Sequence, residues 1–120
     1  MLHKLGAVVL SSLAATVASA QAPAPVATVQ YACTNGKSLV AEFFDGPTRT
    51  APDGRPIPGG RVVLTMTDGK KLTLPQTLSG SGIRYANEGE SFVFWSKGDT
   101  AFAEEGPSHA VTYENCVGKK

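Results

Sequence analysis

From Val29 onward the chain is a succession of short runs, each five to eight residues long, in which apolar and polar side chains alternate. Alternation at period two marks a strand with one buried face and leaves little room for a helical reading. Val29 to Cys33 is followed by Asn35-Gly36, the strongest short hairpin signal in the sequence, because both residues tolerate positive φ. Ser38 to Phe44 returns with Leu39, Ala41 and Phe43 on one face and Val40, Glu42 and Phe44 on the other. Arg61 to Thr67 sets Val62, Leu64 and Met66 inward, Asp68-Gly69 turns, and Lys70 to Leu74 sets Leu72 and Leu74 inward. Gly82 to Ala86, Ser91 to Trp95, Thr100 to Glu104 and His109 to Cys116 complete eight candidate strands.

Between them, Asp45 to Gly60 holds four prolines and four glycines in sixteen residues and reads as a long loop, not an element. Pro75 to Gly82 likewise breaks the alternation. Strands joined in order by tight turns predict an antiparallel meander. Eight of them predict an all-β fold, a small eight-stranded antiparallel barrel, with a two-sheet sandwich as the other solution. Such a barrel holds its own side chains or one small ligand and no channel.

The N-terminus supports an exported protein. Met1, His3 and Lys4 give a basic start, Leu5 to Val17 is an apolar run, and Ala18-Ser19-Ala20 supplies small residues for cleavage before Gln21. A run of about a dozen residues is too short to span a bilayer as a helix. No cysteine stands near the cleavage site, so neither a lipid anchor nor a stable membrane anchor is expected and the predicted location is the periplasm. Gln21 to Ala27, rich in Ala and Pro, reads as a flexible tether, leaving 28–120 as one domain.

Export places Cys33 and Cys116, the only two cysteines, in an oxidising compartment, and one disulfide between them is the economical reading. A metal or reactive-thiol role needs a second cysteine or histidine at ligand spacing, and neither residue has one. The bridge would tie the first strand to the last, as a closed sheet requires.

Without Lys4 the chain carries ten basic and ten acidic residues, a poor composition for gripping nucleic acid or an anionic membrane. Catalytic sets are missing. Past the leader His109 is the one histidine, which excludes a two-histidine metal centre, and Ser81 has Ser79 and Ile83 where a hydrolase elbow needs glycines two before and two after the serine. The expectation is a protein that is no enzyme and holds no metal or cofactor.

Two segments remain. Ser79-Gly80-Ser81-Gly82-Ile83-Arg84-Tyr85 is a small flexible loop entering a strand, and Phe94-Trp95-Ser96-Lys97-Gly98-Asp99 is an aromatic strand ending in a lysine turn. Singly, each is ordinary turn chemistry. Jointly, with Ala101, Tyr31-x-Cys33 and Asn115-Cys116, they resemble the membrane-bound and periplasmic inhibitors of C-type lysozyme. The resemblance implies a C-type lysozyme as protein partner. It also implies a plug in which Ser81, Lys97, Gly82, Arg84 and Tyr85 bind the lysozyme while Trp95 and Gly98 support them. The hairpin from Tyr85 to Phe94 is a residue or two longer than the family pattern, and Asp45 to Gly60 carries none of its motifs. The competing classes are an exported small-ligand-binding barrel and an envelope structural module.

Overall fold

The alternating runs become strands in the computed structural model, which describes residues 23–119. The leader expected over residues 1–20, its cleavage before Gln21 and the first two residues of the tether lie outside the described residues. Ten strands follow in order: β1 (Ala27–Ala32), β2 (Ser38–Phe44), β3 (Arg49–Thr50), β4 (Pro56–Ile57), β5 (Arg61–Thr65), β6 (Lys71–Thr77), β7 (Ile83–Ala86), β8 (Phe92–Lys97), β9 (Thr100–Glu105) and β10 (Ala110–Lys119). Eight of them close into an antiparallel barrel in the order β1-β10-β9-β8-β7-β6-β5-β2. Every neighbour in that ring except the closing pair β1–β10 follows in sequence once the β3–β4 ribbon is set aside.

Local chemistry explains the turns. Asn35 and Gly36 both sit at positive φ, 62° and 69°, and the Cys33 N–H bonds the Lys37 carbonyl at 2.8 Å. The expected hairpin forms there, turning through the three residues Thr34–Gly36. The tether is shorter than expected, because the Val26 N–H already bonds the Phe43 carbonyl and β1 begins at Ala27.

The inward residues are those the alternation names. Leu39, Ala41, Val62, Leu64, Met66 and Leu74 are buried, and Leu72 and Phe43 pack against them. Phe94 lies at the centre, with ring centroids 6.0 Å from Tyr31, 6.2 Å from Tyr85 and 6.4 Å from Phe43. Ala41, Ala101 and Ala103 leave the space this ring cluster fills, the large-and-small alternation a narrow barrel needs. The interior is therefore occupied by the protein's own rings.

Cys33 and Cys116 form the expected disulfide across a sequence separation of 83. Reaching it takes an irregularity that period-two reading does not supply. Tyr113 and Cys116 are both buried yet three residues apart, so β10 shifts register between them and Asn115 turns to φ 49°. The bulge absorbs the extra residue and returns the strand to the core.

Two stretches read as breaks are strands instead. Within Asp45 to Gly60, β3 and β4 pair through Arg49↔Ile57 and Thr50↔Pro56, closed at the tip by Ala51 N–H to the Arg55 carbonyl. Asp53 accepts from the Arg55 N–H and shapes the tip. Pro56 can serve there because a two-stranded ribbon is all edge. Similarly β6 runs through Pro75, which pairs with Arg61, while Gln76 and Thr77 pair with Tyr85 and Arg84. Proline sits where the strand passes from one neighbour to the other, so its missing N–H ends only the β7 ladder.

Candidate functional site

β7 and β8 pair with Ile83 opposite Ser96. That register carries the Ser79–Gly82 loop and the Lys97–Gly98 turn to the same end of the barrel, side by side. Gly82 is the point of contact. Its φ is +68°, and a Cβ there would stand 2.9 Å from the Ser96 carbonyl oxygen and 3.5 Å from Lys97 Cβ. The lysine stem thus runs past Gly82, and only a residue without a side chain fits between the loop and the strand.

Ser79 shapes the loop, a role the sequence reading did not give it. Its hydroxyl donates to the Ser81 carbonyl at 2.6 Å and accepts from the Ser81 N–H at 3.2 Å. This serine turn leaves the Ser81 hydroxyl without a partner among the described residues, exposed at the rim. The signal for it was present, since a serine two residues before the apex of a loop commonly bonds that backbone. Across the contact, Gly98 turns at φ +60° and the Thr100 hydroxyl donates to the Lys97 carbonyl at 2.9 Å. Lys97 is exposed and makes no ion pair among the described residues. A free hydroxyl and a free ammonium therefore stand together on a backbone whose turns are both fixed.

The other residues named from sequence take different positions. Arg84 lies on the outer wall and is fully engaged there. One guanidinium nitrogen pairs with Glu90 at 3.0 Å, another donates to the Thr77 hydroxyl at 2.9 Å, and the group sits 5.6 Å from the Trp95 ring centroid. Its side chain is 16% exposed. Glu90 comes from the Asn87–Ser91 turn, so the longer hairpin supplies the partner that holds Arg84. Trp95 donates to Glu104 at 3.2 Å and stacks on Phe102, a scaffold position beside the lysine turn.

Tyr85 points inward and is 4% exposed. Burial, then Tyr31 and Asp45, push its phenol up to about 12, so it stays neutral. Tyr31 is raised in the same direction, chiefly by burial, with Ser96 hydrogen bonding opposing it and Asp99 adding to it. His109 is exposed in the turn between β9 and β10, at the opposite end of the barrel from Ser81. Among the described residues no group of three or more His, Cys, Asp or Glu is arranged to hold a metal.

The profile of the family described as membrane-bound lysozyme-inhibitor of c-type lysozyme matches residues 57–111. A protein of Yersinia enterocolitica named membrane-bound lysozyme inhibitor of C-type lysozyme is 50% identical over 42 residues, which is 35% of this chain and 34% of that protein. A protein of Cupriavidus necator with the same name is 32% identical over 99 residues, 75% of this chain and 69% of that protein. No solved structure matches the chain.

Proposed function

The chain belongs to the family of membrane-bound lysozyme inhibitors of C-type lysozyme, and we propose that it inhibits such a lysozyme by placing Ser81 and Lys97 in the enzyme's cleft. A lysozyme of this type works with two carboxyl groups, one protonated and one ionised, on either side of the bond it cleaves. A hydroxyl both donates and accepts, so Ser81 can satisfy the protonated acid or its ionised form. The ammonium of Lys97 makes a charge-assisted bond to the ionised carboxylate and neutralises it. With both carboxyls engaged, neither can protonate the leaving oxygen or stabilise the developing charge.

One observation supports this reading: the serine loop and the lysine turn share one rim, meeting at Gly82, and neither side chain has a partner among the described residues. Gly82 also keeps the apex slim enough to enter a cleft. The ligand-binding alternative has less support, because the ring cluster around Phe94 fills the barrel. The relatives' names and the export signal read from the sequence both favour action in the envelope.

The test is a clearing assay on a bacterial-wall suspension with a C-type lysozyme, titrated with parent, Ser81→Ala and Lys97→Ala. Truncating one partner of a buried charged contact costs on the order of 2–5 kcal/mol, so each variant is expected to weaken inhibition at least about 30-fold with its melting temperature unchanged. Equal inhibition by parent and both variants would sink the plug.

A further inference from the structure

Beside Ser81 and Lys97 the barrel opens. A pocket of about 460 Å³ lies at this mouth, walled by Val26, Phe43 and Ile83, with Tyr31 and Tyr85 beneath and Asp45 at the lip. Its chemistry is unbalanced. The Tyr85 side chain is 4% exposed, and its hydroxyl, which faces the pocket, is hydrogen-bonded by no group among the described residues. Asp45 is exposed and pairs with no cation among the described residues. Asp99 stands across the mouth, close enough to act on Tyr31. Among the described residues no lysine or arginine lines the pocket, and the nearby Arg61 is held against the Phe44 ring, 4.3 Å from its centroid.

We infer that this mouth pocket receives one cationic side chain, an arginine or lysine, from the surface of the lysozyme that Ser81 and Lys97 engage. The inference rests on the plug reading, since the pocket opens on the rim that would face the enzyme. Arginine and lysine carry an alkyl stem and a charged head. The stem would lie against Phe43 and Ile83 and the head would reach Asp45. The phenol oxygen of Tyr85 would accept one N–H of the head, which supplies the partner the fold leaves out. Charge then crosses the interface both ways, Lys97 outward to a carboxylate and the enzyme's cation inward to Asp45. A lysozyme with the same active site but no cation at this place would be discriminated against, because the acidic lip would be desolvated without compensation.

Titration of a C-type lysozyme by calorimetry at low and physiological salt tests this with Asp45→Asn, Tyr85→Phe, their double variant and Ser81→Ala. Each single pocket variant is expected to bind about tenfold weaker. The double variant should lose little more than either single, and the salt dependence should shrink. Tyr85→Phe deletes a hydroxyl that bonds no group among the described residues, so its melting temperature should hold and a loss of binding cannot be put down to misfolding. Alanine replacement of the lysozyme's surface lysines and arginines in turn should find one whose effect vanishes against Asp45→Asn.

If both pocket variants bind within twofold of the parent while Ser81→Ala does not, the pocket claim falls and the plug stands. If Ser81→Ala also binds like the parent, both fall. Weakened binding with no coupled lysozyme cation overturns the cationic occupant.

Discussion

Two glycines of one loop should respond in opposite ways to the same methyl group. Gly80 has nothing within 4 Å of the place a Cβ would occupy, and its φ is not positive. Gly82 is at φ +68° with the Ser96 carbonyl oxygen 2.9 Å from that place. An alanine in the left-handed region costs about 1–2 kcal/mol. The contact is with backbone of a paired strand and cannot rotate away, which adds about 1–2 kcal/mol by analogy with small-to-large changes in packed sites. Gly82→Ala is therefore expected to destabilise by about 2–4 kcal/mol and to lower the melting temperature by roughly 10–25 °C for a domain of this size. The relief available to the chain is to push the loop off β8, which parts Ser81 from Lys97, so inhibition should fall too. Gly80→Ala narrows the unfolded ensemble instead and should be neutral or stabilising by about 0.4–1 kcal/mol. Thermal melts and inhibition titrations on the two variants decide the matter. Similar melting temperatures and similar inhibition for both would refute the claim that close approach at Gly82, and not loop flexibility, holds the site together.

Replacing both cysteines by serine removes a link across 83 residues, worth up to about 4–5 kcal/mol in the chain-entropy account; urea titration should show a lower midpoint with little change in inhibition once folded. Arg84→Gln breaks the contacts to Glu90, Thr77 and Trp95, and with Glu90 half exposed the screened loss is about 1 kcal/mol; inhibition should stay within about twofold, and a large loss would return Arg84 to the binding surface. Tyr85 binds its proton more tightly folded than unfolded, so its stabilising effect is whole below pH 10 and drains away as pH rises towards about 12. Chemical denaturation across that range should reveal the decline, and Tyr85→Phe should flatten it.

Most of the barrel could be read from the chain because a half-buried strand writes its two faces into alternate residues, as Leu39, Ala41, Phe43 and Val62, Leu64, Met66 show. The misses have a shared cause, which is tertiary pairing that overrides local propensity. Pro75 looks like a stop until its position between two neighbours is known, and Pro56 looks unfit for a strand until its partner Thr50 is known. The step from Tyr113 to Cys116 defeats period-two reading because the bulge at Asn115 is set by the disulfide and by β9. At the site, the nearness of Ser81 and Lys97 followed from strand order alone. The clamp on Arg84, the serine turn at Ser79 and the mouth-facing phenol of Tyr85 did not, since each depends on which face a residue meets across a neighbouring strand.

The seam between β1 and β10 sets the order in which the molecule can be completed. β1 finds β2 within a few residues, but its other edge stays open until Lys119 arrives opposite Gln30. Pairing over so long a separation comes late, after shorter loops have closed. Any chain cut short before Cys116 keeps both an open strand edge and an unpaired thiol. Formation of the one disulfide is thus a certificate of length: it can be issued only to a chain whose last strand has been made and set in place.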